Sequence, residues 1–126
     1  MKDLLPSMEF EFEIKDLKGD DTGAVFNGKF KYKRLNIMEK SQAAKMRASL
    51  DEALNIPIEV SMLHEMIAWL RYGLIEYPMW WEEAELGMSL YDVNIVTEIY
   101  NKVRKFEENW TKKLTKKEPK KKTNDK

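Results

Sequence analysis

Charged and apolar residues alternate strictly over Met8-Glu-Phe-Glu-Phe-Glu-Ile14. Successive side chains of a strand point to opposite faces, which puts Phe10, Phe12 and Ile14 on one face and Glu9, Glu11 and Glu13 on the other. Lys18-Gly-Asp-Asp-Thr-Gly23 follows, a turn composition whose glycines tolerate positive φ. The alternation then resumes over Val25–Lys33, with Phe26, Phe30 and Tyr32 on one face and Lys29, Lys31 and Lys33 on the other. An antiparallel hairpin over about residues 8–34 sets Glu against Lys and superposes the two aromatic faces, so both halves of the pattern demand one register. An isolated hairpin is marginal in water, and its Phe/Tyr face needs cover from elsewhere in the chain.

The downstream periodicity is helical and supplies that cover. Residues 39–54 are rich in helix formers, with Ala43, Met46, Leu50 and Leu54 near one face. Asn55-Ile-Pro57 ends this helix, because a residue preceding proline is pushed out of the helical region. A second helix is predicted over 59–75 on a stripe of Val60, Leu63, Ile67, Leu70 and Leu74. Tyr77-Pro-Met-Trp-Trp81 interrupts the pattern, and Glu82–Gly87 is expected to form a short helical turn. Ser89 and Asp92 match a capping box, with Ser89 as N-cap. From there Val93, Val96, Tyr100, Val103, Phe106 and Trp110 recur at helical spacing, predicting a helix over about 90–113. The expected fold is α+β: an N-terminal antiparallel hairpin packed on three to four helices in a single domain over 1–113. Residues 114–126 form a Lys-rich tail that is expected to be disordered.

At 126 residues the chain has room for one core. Its formal net charge of zero hides an asymmetry: residues 112–126 hold eight lysines against Glu118 and Asp125, a net +6, so the remainder is −6. A basic tail hangs from an acidic body. The tail carries no aromatic residue, which argues against nucleic acid as a partner beyond nonspecific attraction. No apolar run is long enough for a membrane span, and the N-terminus turns acidic before a secretory core develops, so a soluble chain retained where it is made is expected. The absence of cysteine removes thiolate chemistry and Cys-based metal sites.

Candidate chemistry is sparse. His64 stands in the second helix without metal-ligand spacing, and no nucleophile elbow or phosphate-binding glycine loop is present. Asp20-Asp21 falls in a turn, where Asp is favoured for backbone reasons, and in the cluster Glu82, Glu83 and Glu85 the first two open a short helix whose dipole they offset. These observations predict no catalytic residue, no metal and no cofactor. The aromatics say more. Trp80 and Trp81 adjoin in a joint and cannot both point inward, which leaves one of them partly exposed. Trp110 lies beyond the region the other helices obviously cover. The sequence therefore nominates Met79, Trp80, Trp81, Phe106 and Trp110 as a protein-binding surface.

The order of these features carries a family resemblance. Phe26-x-Gly28-x-Phe30, a helix rich in Glu, Lys, Arg and Ala, a helix with Leu70, and Tyr77-Pro-x-Trp-Trp81 come first. Gly87-Met-Ser-Leu-Tyr-Asp-Val-Asn94, Ile99-Tyr-Asn-Lys-Val103 and Phe106-Glu107 follow. This succession, over most of residues 8–110, resembles the tail assembly chaperones of long-tailed bacteriophages. The resemblance implies a non-structural morphogenesis factor in the cytoplasm of the infected bacterium. It implies binding to the tape-measure protein and help for tail-tube protein polymerising around it. It also raises a frameshifted longer product, since Lys120-Lys-Lys122 would be encoded by a slippery A-rich tract. Competing readings are a phage structural or head–tail connector protein and a small host-directed regulator with weak nucleic-acid binding. Homo-oligomerisation is left open.

Overall fold

The computed structural model describes residues 5–52 and 55–117. The fold is α+β, with an antiparallel sheet and, among the described residues, four helices. Strands β1 (Glu9–Lys18) and β2 (Val25–Lys33) form the hairpin in the register their charges favour: Glu9 opposes Lys33, Glu11 opposes Lys31, and Glu13 opposes Lys29. Phe10 opposes Tyr32 and Phe12 opposes Phe30 on the other face. The register shifts between Ile14 and Leu17, where Asp16 takes φ 48° and donates its N–H to Asn27 Oδ1 at 2.7 Å. That side-chain acceptor replaces the ladder bond lost at the bulge.

A third strand lies where helix was expected. Helix α2 (Ile58–Gly73) stops at Gly73, and Leu74–Glu76 pairs with β2 as β3, Glu76 opposite Lys31 and Leu74 opposite Tyr32. Leu74 is buried there as a strand residue, and Val60, expected in the apolar stripe of α2, is exposed. Lys31 at the centre of the sheet faces Glu9, Glu11 and Glu76 at 3.5–3.9 Å, one cation shared by both flanking strands.

Helix α1 (Ile37–Leu50) starts two residues before the expected Glu39, because Asn36 and Glu39 form a capping box: Asn36 Oδ1 accepts from Glu39 N, and Glu39 Oε1 accepts from Asn36 N. Its end falls at Leu50, four residues short of the expected 54; Leu54 lies outside the described residues. Helix α3 (Met79–Glu83) begins at the joint itself, directly after Pro78. Helix α4 (Val93–Lys117) begins three residues later than expected, and the expected Ser89 cap is not used. It runs past 113 to Lys117, so four residues assigned to the tail are helical; the expectation of disorder for 118–126 lies outside the described residues.

The core is built where the Phe/Tyr face of the sheet meets the helices. Ile14, Phe30 and Tyr32 pack with Ile67, Ala68 and Leu70 of α2, Trp81 of α3, and Ile95, Ile99 and Val103 of α4. Gly87 closes the joint: at φ +97° it occupies backbone space that disfavours other residues, and a Cβ there would meet the Trp81 ring at 2.7 Å. Among the described residues every buried side-chain nitrogen and oxygen has a hydrogen-bond partner.

Candidate protein-binding groove

Strand β1 is an edge strand, paired among the described residues only with β2. Phe10 of β1 stacks on Phe106 of α4 at 4.9 Å and on Phe12 at 5.3 Å, so the two elements touch here. A groove of about 970 Å³ remains between them. Phe10, Phe12, Phe106 and Trp110 supply its apolar lining; Pro6, Ser7 and Glu9 rim one side, and Lys102, Lys105, Lys112 and Lys113 rim the other.

The residues nominated from sequence divide into two groups. Phe106 and Trp110 line the groove. Trp110 does not project from the body, however: it is only 8 % exposed, with Ser7 of the segment before β1 and Arg34 against it. Its Nε1–H donates to Ser7 O at 3.0 Å, and the Arg34 guanidinium sits 3.9 Å above its ring. Met79, Trp80 and Trp81 lie outside the groove. Trp81 is buried, Trp80 is half-buried with its Nε1–H on Asn27 O at 2.8 Å, and Met79 is 71 % exposed. The period-two pattern placed Phe10 and Phe12 on the inward face but gave no sign that one edge of that face stays open. The rim lysines interleave with Phe106 and Trp110 at helical spacing, a signal the sequence did contain.

The motif residues behind the resemblance act as clamps on the hairpin. Asp92 is 2 % exposed, and its carboxylate accepts from Asp21 N (2.7 Å), Thr22 N (2.9 Å) and Thr22 Oγ1 (2.6 Å). The Thr22 hydroxyl and these backbone bonds hold its pKa below the ordinary carboxylate value, despite burial. Asn94 accepts from Asp20 N and donates to Lys18 O. Asp20-Asp21 is thus part of a turn whose backbone amides are held by Asp92, just before α4, and by Asn94 in its first turn. At the other end Glu107 accepts from Tyr32 Oη at 2.6 Å and from Arg34 Nε at 2.7 Å, and Trp69 Nε1–H donates to the same Tyr32 oxygen at 2.8 Å. Burial, then the bond to Glu107, pushes the Tyr32 phenol far above its usual range, so it stays a neutral donor. Pro78 completes the set by packing over Gly28, where a Cβ would meet its ring at 2.6 Å.

One polar cluster stands apart. Asp51 accepts from Ser61 Oγ and from His64 Nδ1, both at 2.6 Å, and Arg47 donates to Ser61 and Glu65. Nucleophilic activation needs imidazole on the hydroxyl, but here both groups bind the same carboxylate, and the cluster ties the end of α1 to α2. Ser61 first and His64 second hold the Asp51 pKa low. Among the described residues no group of three or more His, Asp or Glu side chains is placed to hold a metal ion, and no helix is long and apolar enough to cross a membrane. No protein-family model matches the chain, nor does any curated protein or solved structure.

Proposed function

We propose that this protein is a tail assembly chaperone of a long-tailed bacteriophage. It acts without catalysis in the cytoplasm of the infected bacterium, binding the tape-measure protein and assisting the tail-tube protein to polymerise around it. The observation that carries this reading is the groove between β1 and α4, an aromatic-lined cleft rimmed by lysines beside a strand edge that is unpaired among the described residues. Such a cleft is suited to shielding an apolar stripe on a client segment. The succession of motifs resembling those chaperones gives the client its identity.

Co-expression with the very long, coiled tape-measure protein encoded nearby tests the proposal. The client is expected to stay in the soluble fraction and co-purify only when this chain is present, and this chain is expected to be missing from finished virions. A stoichiometric amount in purified virions would make it a connector or other structural component.

A further inference from the structure

We infer that the groove between β1 and α4 receives an acidic amphipathic helix of a partner protein. The inference deepens the chaperone reading and rests on it only for the partner's identity. The α4 wall is a single helical stripe: Lys102, Lys105, Phe106, Asn109, Trp110 and Lys113 recur at three- and four-residue steps. From Lys102 to Lys113 it extends eleven residues, about 17 Å or three helical turns. The ridge of such a stripe packs naturally against the groove of a second helix. Phe10 and Phe12 form the opposite wall, so an inserted apolar stripe meets aromatic rings on two sides.

Charge selects the occupant. Lys102 pairs with Glu98 at 3.7 Å, but Lys105, Lys112 and Lys113 have no ion pair among the described residues. The acidic lining residue is Glu9, already facing Lys31. An incoming helix with carboxylates flanking its apolar stripe neutralises these lysines. The chain's own segment 118–126 is lysine-rich and would add like charge. A second copy docking through the same stripe of α4 would set lysine against lysine across the two-fold axis.

The test titrates the full chain against three fluorescein-labelled synthetic peptides of about five helical turns. One has leucines at helical spacing with glutamate elsewhere, one has lysine in place of every glutamate, and one is the glutamate peptide broken by a central proline. Anisotropy is expected to show the intact acidic peptide binding at least about tenfold tighter than either control, as several exposed charge pairs acting together allow. The combined Lys105→Glu, Lys112→Glu and Lys113→Glu variant is expected to lose that preference, and the Lys→Gln set to weaken it, with unchanged circular dichroism. Equal affinity for the acidic and basic peptides would overturn the inference, as would equal binding of the proline-broken peptide. A concentration-dependent dimer that the acidic peptide fails to dissociate would make a second copy the occupant. Tighter peptide binding after removal of residues 118–126 would make it the chain's own tail. Selective binding of the acidic peptide without co-purification of a tape-measure protein leaves this inference standing and removes the chaperone reading. Co-purification without acidic preference does the reverse.

Discussion

At the scale of single residues, two neighbours in the joint show how position separates similar side chains. Trp81 is 1 % exposed and meets Phe30 edge-on at 6.1 Å, while Met79 is 71 % exposed. Trp81→Ala removes a large, fully buried ring from the core and is expected to cost about 3–5 kcal/mol. Met79→Ala is expected to change stability by no more than about 0.5 kcal/mol. Urea denaturation of the two variants checks both. Asp92 carries a pH signature. Its pKa is lowered in the fold by Thr22 and the turn amides, so its contribution is present above the unfolded value of about 3.9 and is lost as pH falls through the lower folded value. Asp92→Asn is therefore expected to lower Tm by several degrees at neutral pH, with the gap to the parent closing in acid below about pH 4. A gap that stays constant from pH 7 to about pH 2.5 would mean the carboxylate charge is immaterial.

At the scale of elements, the hairpin and its Glu–Lys pairing were legible, because the charges on β1 and β2 and the position of their aromatics favour the same pairing independently; the register shift between Ile14 and Leu17 was not. Strand β3 was not. Leu74-Ile-Glu76 continues the apolar spacing of α2, and it becomes a strand only because β2 offers an edge and Lys31 a counter-charge, both set by residues more than forty positions earlier. Helix starts were misplaced for a related reason. The Asn36–Glu39 box begins α1, whereas Ser89 and Asp92 look like a box but Asp92 is spent on the hairpin turn. What joins the elements is the Tyr32–Glu107–Arg34–Trp69 network, which crosses from β2 to α4 and α2. Tyr32→Phe leaves the Trp69 N–H and one Glu107 oxygen without that partner in a buried setting. The expected cost is about 1–3 kcal/mol, measurable by chemical denaturation, and Trp69→Phe in the same background should cost less than it does alone.

At the scale of the molecule, the candidate site was half legible. Helical spacing identified Phe106 and Trp110, but their surroundings come from the other end of the chain. Ser7 O meets Trp110 Nε1 across 103 residues, a closure that no local pattern encodes. The same closure decides how firmly the groove is held. The second half of α4 leans on the body through Glu107, the Phe106–Phe10 stack, and Trp110 beneath Ser7 and Arg34. Beginning the chain at Met8 removes the Ser7 side of the cover over Trp110, leaving Arg34 on its ring, while keeping the Met8 O bond to Arg34 N at the hairpin's open end. Stability is expected to fall by about 1–2 kcal/mol, the sum of one hydrogen bond and a modest apolar area. The loss should be local as well as global. Amides of α4 beyond Val103 should exchange with solvent faster, tryptophan fluorescence should shift to the red, and exchange in the paired α1 and α2 should change little. A uniform rise in exchange across α1, α2 and α4 would instead show that the segment before β1 supports the entire core, and that the groove cannot open without the fold opening with it.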